Sequence, residues 1–130
     1  MEVLRIEKKV RMTHLEIIKF QLIMYCHLTN THLSSNDLSC LTLLGMTGEY
    51  TLEDFCELAR SNKIFSSNQS ARNALAKAEK KDLIIKKGNN KKKISLHPDL
   101  GIHSNGNIVI DYKVVYLEQV TKPQLEPQES

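Results

Sequence analysis

Projected onto an α-helix, residues 67–81 divide sharply into two sides. Ala71, Ala74, Leu75 and Ala78 fall at i, i+3, i+4 and i+7 on one face. Gln69, Arg72, Asn73, Ala76 and Lys80 fall on the other, with Lys77 at its edge. Arg pairs bidentately with guanine, Asn and Gln pair with adenine, and Ala lies against a thymine methyl in a major groove. Three of the four inner residues are alanine, so that side admits close approach of a neighbouring helix. Ser66 and Ser67 stand at the predicted N-terminus, where free N–H groups and the helix dipole suit a phosphate.

The surrounding charge points the same way. Residues 60–96 hold eleven lysines and arginines opposed only by Glu79 and Asp82, a net +9 in a chain whose total is +3. A strongly basic segment on a mildly acidic body is the footprint of a protein that meets a polyanion. Lys87, Lys91, Lys92 and Lys93 flank Gly88-Asn89-Asn90, a turn sequence that tolerates positive φ, between apolar β-branched residues. The predicted element is a hairpin of strands 83–87 and 91–96 with a lysine-rich tip. If about six of these cations meet phosphates, affinity falls steeply with salt.

Other chemistry finds few residues. Of five histidines only His27 adjoins a cysteine, Cys26, and neighbours on a helix diverge too far to form a nucleophile–base pair. Cys26, Cys40 and Cys56 form no Cys-x-x-Cys motif, and Cys26, His27, His32 and Cys40 match no zinc spacing. Glu53, Asp54 and Glu57 on one short helix are explained by capping and solvation. The glycines serve turns, and none forms a phosphate-binding loop. The expectation is a protein without catalytic residues, metal or cofactor.

The elements that must position these residues follow from capping and periodicity. Residues 2–12 read as a strand. Thr13-His14-Leu15-Glu16 has capping-box form and opens a helix over 14–29 whose apolar residues wrap most of its circumference. That predicts central burial or contact with a partner subunit. Ser34 or Ser35 caps a second helix through about Leu44, with Gly45 and Gly48 ending it. Thr51-Leu52-Glu53-Asp54, a weaker capping box, opens a third that ends near Ser61. Ser66-Ser67-Asn68 caps the fourth, and after the hairpin His97-Pro98 stops the strand. Residues 101–106 read as loop, 108–117 as a β-branched strand, and 121–130 as a polar tail.

With 130 residues and 41% hydrophobic composition, the chain suffices for one domain with a real core. Its longest apolar run, residues 22–26, is far short of a membrane span. No cationic start leads into an apolar stretch, as a secretory signal would require, so the expected setting is the cytoplasm.

The elements run helix, helix, helix, basic helix, hairpin, and residues 51–97 resemble the winged helix-turn-helix superfamily. Residues 70–84, from Ser70-Ala71-Arg72-Asn73 through Lys80-Lys81-Asp82-Leu83-Ile84, resemble the recognition helix and first wing strand of MarR-like regulators, and are similar to plasmid and phage replication initiators. The likeness covers under half of the chain and specifies fold better than function. It implies an α+β fold: four helices, then a β-hairpin wing, with additional N- and C-terminal strands. The expected organisation is a single domain over 1–120 and a tail over 121–130.

The resemblance further implies a regulator or replication or partition accessory that binds double-stranded DNA in a bacterial or phage-infected cell. The contact residues would be Ser66, Ser67, Gln69, Arg72, Asn73, Lys77, Lys80, Lys87, Lys91, Lys92 and Lys93. A homo-oligomer, in the simplest case a dimer joined through helix 14–29 or the terminal strands, is the expected form. The alternative is a structural protein that uses the winged helix as a docking module in a larger assembly, such as a phage particle. The apolar first helix and the edges of the terminal strands favour it.

Overall fold

A computed structural model describes residues 2–5, 11–103 and 113–116. Its elements are β1 (Glu2–Arg5), α1 (His14–Thr29), α2 (Ser35–Thr47), β2 (Tyr50–Thr51), α3 (Leu52–Ser61), α4 (Asn68–Lys80), β3 (Ile84–Lys87), β4 (Lys93–Leu96) and β5 (Lys113–Tyr116). They belong to two compact units, Met1–Arg11 with Asn107–Ser130, and Met12–Gly106. In the first, β1 and β5 pair antiparallel, Glu2 opposite Tyr116 and Arg5 opposite Lys113. The terminal strands thus pair within one chain, a point the sequence leaves open. Residues 6–10, 108–112 and 117 of the two predicted strands and the 121–130 tail lie outside the described residues.

The second unit holds four helices and a three-stranded antiparallel sheet in the order β2-β4-β3. Its helices begin where side chains replace missing backbone partners. Thr13 Oγ1 accepts the Glu16 N–H at 3.2 Å while Glu16 Oε1 accepts the Thr13 N–H at 2.8 Å, the full capping box. Ser34 accepts from the Asp37 N–H at 3.0 Å and Ser67 from the Ser70 N–H at 3.1 Å. The Thr51 box, by contrast, does not form. Thr51 is instead drawn into strand pairing opposite Lys93, and the Leu52 N–H donates to the Lys92 carbonyl at 2.7 Å. The Lys92 carbonyl, just before β4, thus satisfies the first free N–H of α3, a different donor from the one the predicted cap would take. Strand β2 is only two residues long, and no local pattern announces it.

Two further expectations, for Gly45 and Lys91, are corrected, and the burial of α1 is resolved residue by residue. Gly45 does not end α2 but lies inside it, and Gly48, at φ 74°, is the cap. A Cβ at Gly45 would sit 2.8 Å from Ile18 Cγ2 of α1 and 3.0 Å from Leu96 Cδ1 of β4. The glycine is there because a helix and a strand close on one point. In α1, only Ile18 and Leu22 are fully buried, although apolar residues surround the helix; Leu15, Ile23 and Leu28 stay exposed at 46%, 42% and 80%. Lys91 belongs to a 3₁₀ turn over Asn89–Lys91, and β4 starts only at Lys93.

The core of the second unit joins its four helices and its hairpin. Ile18 and Leu22 meet Leu41 and Leu44 of α2, Phe55 of α3, Leu75 of α4, and Leu83, Ile84 and Ile94 from the hairpin. Thr42, a buried polar residue, satisfies its hydroxyl on the Leu38 carbonyl at 2.8 Å.

Substituting Gly45→Ala should gain helix propensity of about 1 kcal/mol but overpack by about 1–3 kcal/mol. Overpacking should win, because a β-branched methyl has little room to turn away. Thermal unfolding should show a midpoint lower by several degrees. A higher midpoint would mean that α1 and α2 have slack at this crossing.

Candidate nucleic-acid interface

Helix α4 packs against α2, α3 and β3 with Ala71, Ala74, Leu75 and Ala78, all buried as their spacing predicts. That fixes the opposite side outward. Gln69, Asn73, Ala76 and Lys80 are exposed there. Gln69 Nε2 donates to Asn73 Oδ1 at 3.0 Å, one helical turn on. The pair is left with an unused acceptor on Gln69 and unused donors on Asn73, which together match the N6 donor and N7 acceptor of an adenine edge.

Arg72 and Lys77 occupy the two margins of this face, and each is held by a carboxylate from a preceding helix. Arg72 Nη2 lies 3.5 Å from Glu53 Oε2 in the first turn of α3. Lys77 Nζ lies 3.5 Å from Asp37 Oδ2 in the first turn of α2, and the Asp37 side chain is only 14% exposed. Periodicity assigns Glu53 to capping and solvation and gives Asp37 no part. The partners are 19 and 40 residues away in sequence, and no local signal links them.

The +9 segment is therefore not uniformly free. Lys86 pairs with Glu79 at 3.5 Å and Lys87 with Glu49 at 3.7 Å. Lys81 donates to the His32 carbonyl at 2.9 Å, and Arg60 to Asn68 Oδ1 at 3.0 Å. Among the described residues, Lys63, Lys80, Lys91, Lys92 and Lys93 make neither an ion pair nor a side-chain hydrogen bond, and all are exposed. Three of those five sit at the hairpin tip. Gly88 at φ 88° opens the turn, and Asn90 and Lys91 continue it at φ 60° and 52°. Left-handed backbone suits Asn better than Lys, so Lys91 is held there against its preference.

Of the two serines, Ser67 spends its hydroxyl on the cap and on Ser70 Oγ at 3.0 Å. Ser66 stands exposed one residue before the cap. Two contacts tie the hairpin tip to α4: the Leu52 N–H holds the Lys92 carbonyl, and the adjacent Glu53 holds Arg72. The start of α3 thereby joins the wing-like tip to the outward helix.

The thiols are poor nucleophiles. Burial, then the Asp37 charge and Cys56, push Cys40 up to about 12. Burial also raises Cys56, opposed in part by Arg72, and Cys26, opposed in part by Lys81. All three stay protonated at neutral pH. A cavity of about 10 Å³ is lined by Cys40, Asp37, Lys77, Ala74 and Lys81. Among the described residues no group of three or more His, Cys, Asp or Glu is placed to hold a metal. No helix among them is long and apolar enough to cross a membrane.

Comparison with known proteins found no matching family model, no matching curated protein and no matching solved structure.

Because Cys40 is held neutral in the fold but titrates near its ordinary value of 9.0 when unfolded, its contribution is complete below pH 9 and declines as pH rises toward 12. The decline is bounded by about 1.4 kcal/mol per pH unit for one proton. Urea unfolding at pH 8 and pH 10 should therefore show a larger loss for the native protein than for Cys40→Ala. Equal losses would show that the thiol is not held neutral by its surroundings.

Proposed function

We propose that residues 35–97 form a winged helix-turn-helix that binds duplex DNA, with α4 in the major groove and the β3–β4 tip as the wing. The element order α2, β2, α3, α4, β3, β4 and the strand order β2-β4-β3 support this reading. The observation that carries it is the division of α4 into a neutral, buried, small-residue face and an outward face of amides and cations, joined through the start of α3 to three exposed lysines. Gln69 and Asn73 would take an adenine edge, Arg72 a guanine, and Ala76 a thymine methyl. Lys80, Lys91, Lys92 and Lys93 would neutralise phosphates, with Ser66 and Ser67 near the backbone at the helix start. Such a module suits a transcriptional regulator or a replication or partition accessory.

A docking module in a larger assembly has weaker support. It needs a continuous apolar face, whereas the exposed Lys19 lies between Leu15 and Ile23 on one side of α1, and Leu28 points about 140° away from Ile23.

The pairing of Arg72, Lys77 and Lys87 reduces the expected phosphate contacts from the six or so that charge alone predicts to about four per protomer. Gel-shift titration of a mixed-sequence duplex should give a slope of log affinity against log salt near −3.5. Replacing Lys91, Lys92 and Lys93 together by Ala should reduce that slope to about −1. The reading fails if the native protein binds no duplex at low salt, or if the triple variant keeps the native slope.

A further inference from the structure

Arg72 differs from the other cations of this surface in how it is held. Its side chain is 39% exposed, and its contact to Glu53 engages Nη2, leaving further donors of the guanidinium fork unused. Glu53 is in turn fixed by its backbone. It follows Leu52, whose N–H is pinned to the Lys92 carbonyl, and lies within the first turn of α3. Cys56, one turn on, is completely buried, so the backbone beneath the carboxylate is part of the core. The Glu53 side chain itself is 79% exposed. A rigid base therefore carries a carboxylate at the edge of the outward face of α4, against the one arginine of that helix.

A negative group at the rim of a polyanion-binding surface needs an explanation. It repels phosphates, and it weakens any role of Arg72 as a simple counter-charge. It also aims the guanidinium. An arginine with one nitrogen beside a carboxylate whose backbone is held keeps a planar pair of donors for the O6 and N7 of guanine. Moving to a phosphate would strand Glu53 beside other phosphates. The pair thus favours the guanine-bound state over the phosphate-bound one. An exposed ion pair of this kind is weak enough to yield when a better geometry is offered.

Resting on the DNA-binding reading above, we propose that Glu53 is a positioning residue that makes Arg72 a reader of guanine instead of a phosphate contact. Removing it trades sequence discrimination for general affinity.

The test uses the full chain and a duplex library with a randomised core of about two helical turns. Retention of the unselected library and base enrichment after selection are measured for the native protein, Glu53→Gln, Arg72→Ala and the double variant. Because both side chains are exposed to solvent, all should fold, as circular dichroism melting checks. The native protein should enrich guanine at a defined position. Arg72→Ala should abolish that enrichment and lower affinity for the selected guanine-bearing duplex by about ten-fold, with a smaller loss on duplexes lacking that guanine. Glu53→Gln should raise library affinity about two- to five-fold and flatten the enrichment. In the Arg72→Ala background the rise in library affinity on Glu53→Gln reports plain charge repulsion alone, and it should be smaller than the rise with Arg72 present. Enrichment that survives Glu53→Gln, or a uniform loss of affinity in Arg72→Ala, would overturn the proposal while leaving DNA binding intact. Failure of the native protein to retain any of the library would overturn both.

Discussion

Only one large side chain, Leu75, lies on the buried face of α4; its companions there are Ala71, Ala74 and Ala78. Small residues let the helix lie close against α2 and α3, because no long side chain holds the backbones apart. They also fix its rotation, since any other face would bury Arg72, Asn73 or Lys77 without solvent, at a cost of several kcal/mol for a charge. The same economy appears at Gly45, where even one methyl is too many beneath Ile18 and Leu96. Close approach at these two places sets the spacing between helices and sheet, and hence which side chains can reach one another across it.

The electrostatics follow from that spacing. With α4 close to both preceding helices, Arg72 and Lys77 come within ion-pair reach of Glu53 and Asp37. The hairpin strand behind it brings Lys86 and Lys87 to Glu79 and Glu49. Each such pair is individually worth little at the surface, about 1 kcal/mol or less. Their effect on the surface is larger than their effect on stability. They remove much of the positive charge from the flanks, and among the described residues Lys63, Lys80 and the three lysines of the hairpin tip are left without an ion pair. A diffuse basic segment becomes a directional one.

Much of this was readable locally. Thr13 with Glu16, Ser34 and Ser67 mark helix starts because capping is an interaction over three residues, and the alanine spacing of α4 shows which side faces inward. The hairpin turn was readable because Gly88 and Asn90 supply positive φ. What escaped depends on distant contacts. Gly45 looks like a helix stop because glycine usually is one, and only Ile18 and Leu96 explain it otherwise. Thr51 looks like a cap until Lys92 and Lys93 compete for the same backbone. Nothing in the α1 sequence selects Ile18 and Leu22 over Leu15 or Ile23 as core, since the choice is made by α2. For the candidate site, composition gave the residue types, but Glu53 and Asp37 enter only through the closeness of three helices.

Amide chemical shifts during titration with a mixed-sequence duplex at low salt test the account most directly, because they report on every element at once. The largest changes should fall on Gln69, Asn73, Ala76 and Lys80 and on the tip over 88–92, with α1 and the alanine face of α4 little moved. Changes centred on α1, or none at all, would contradict it.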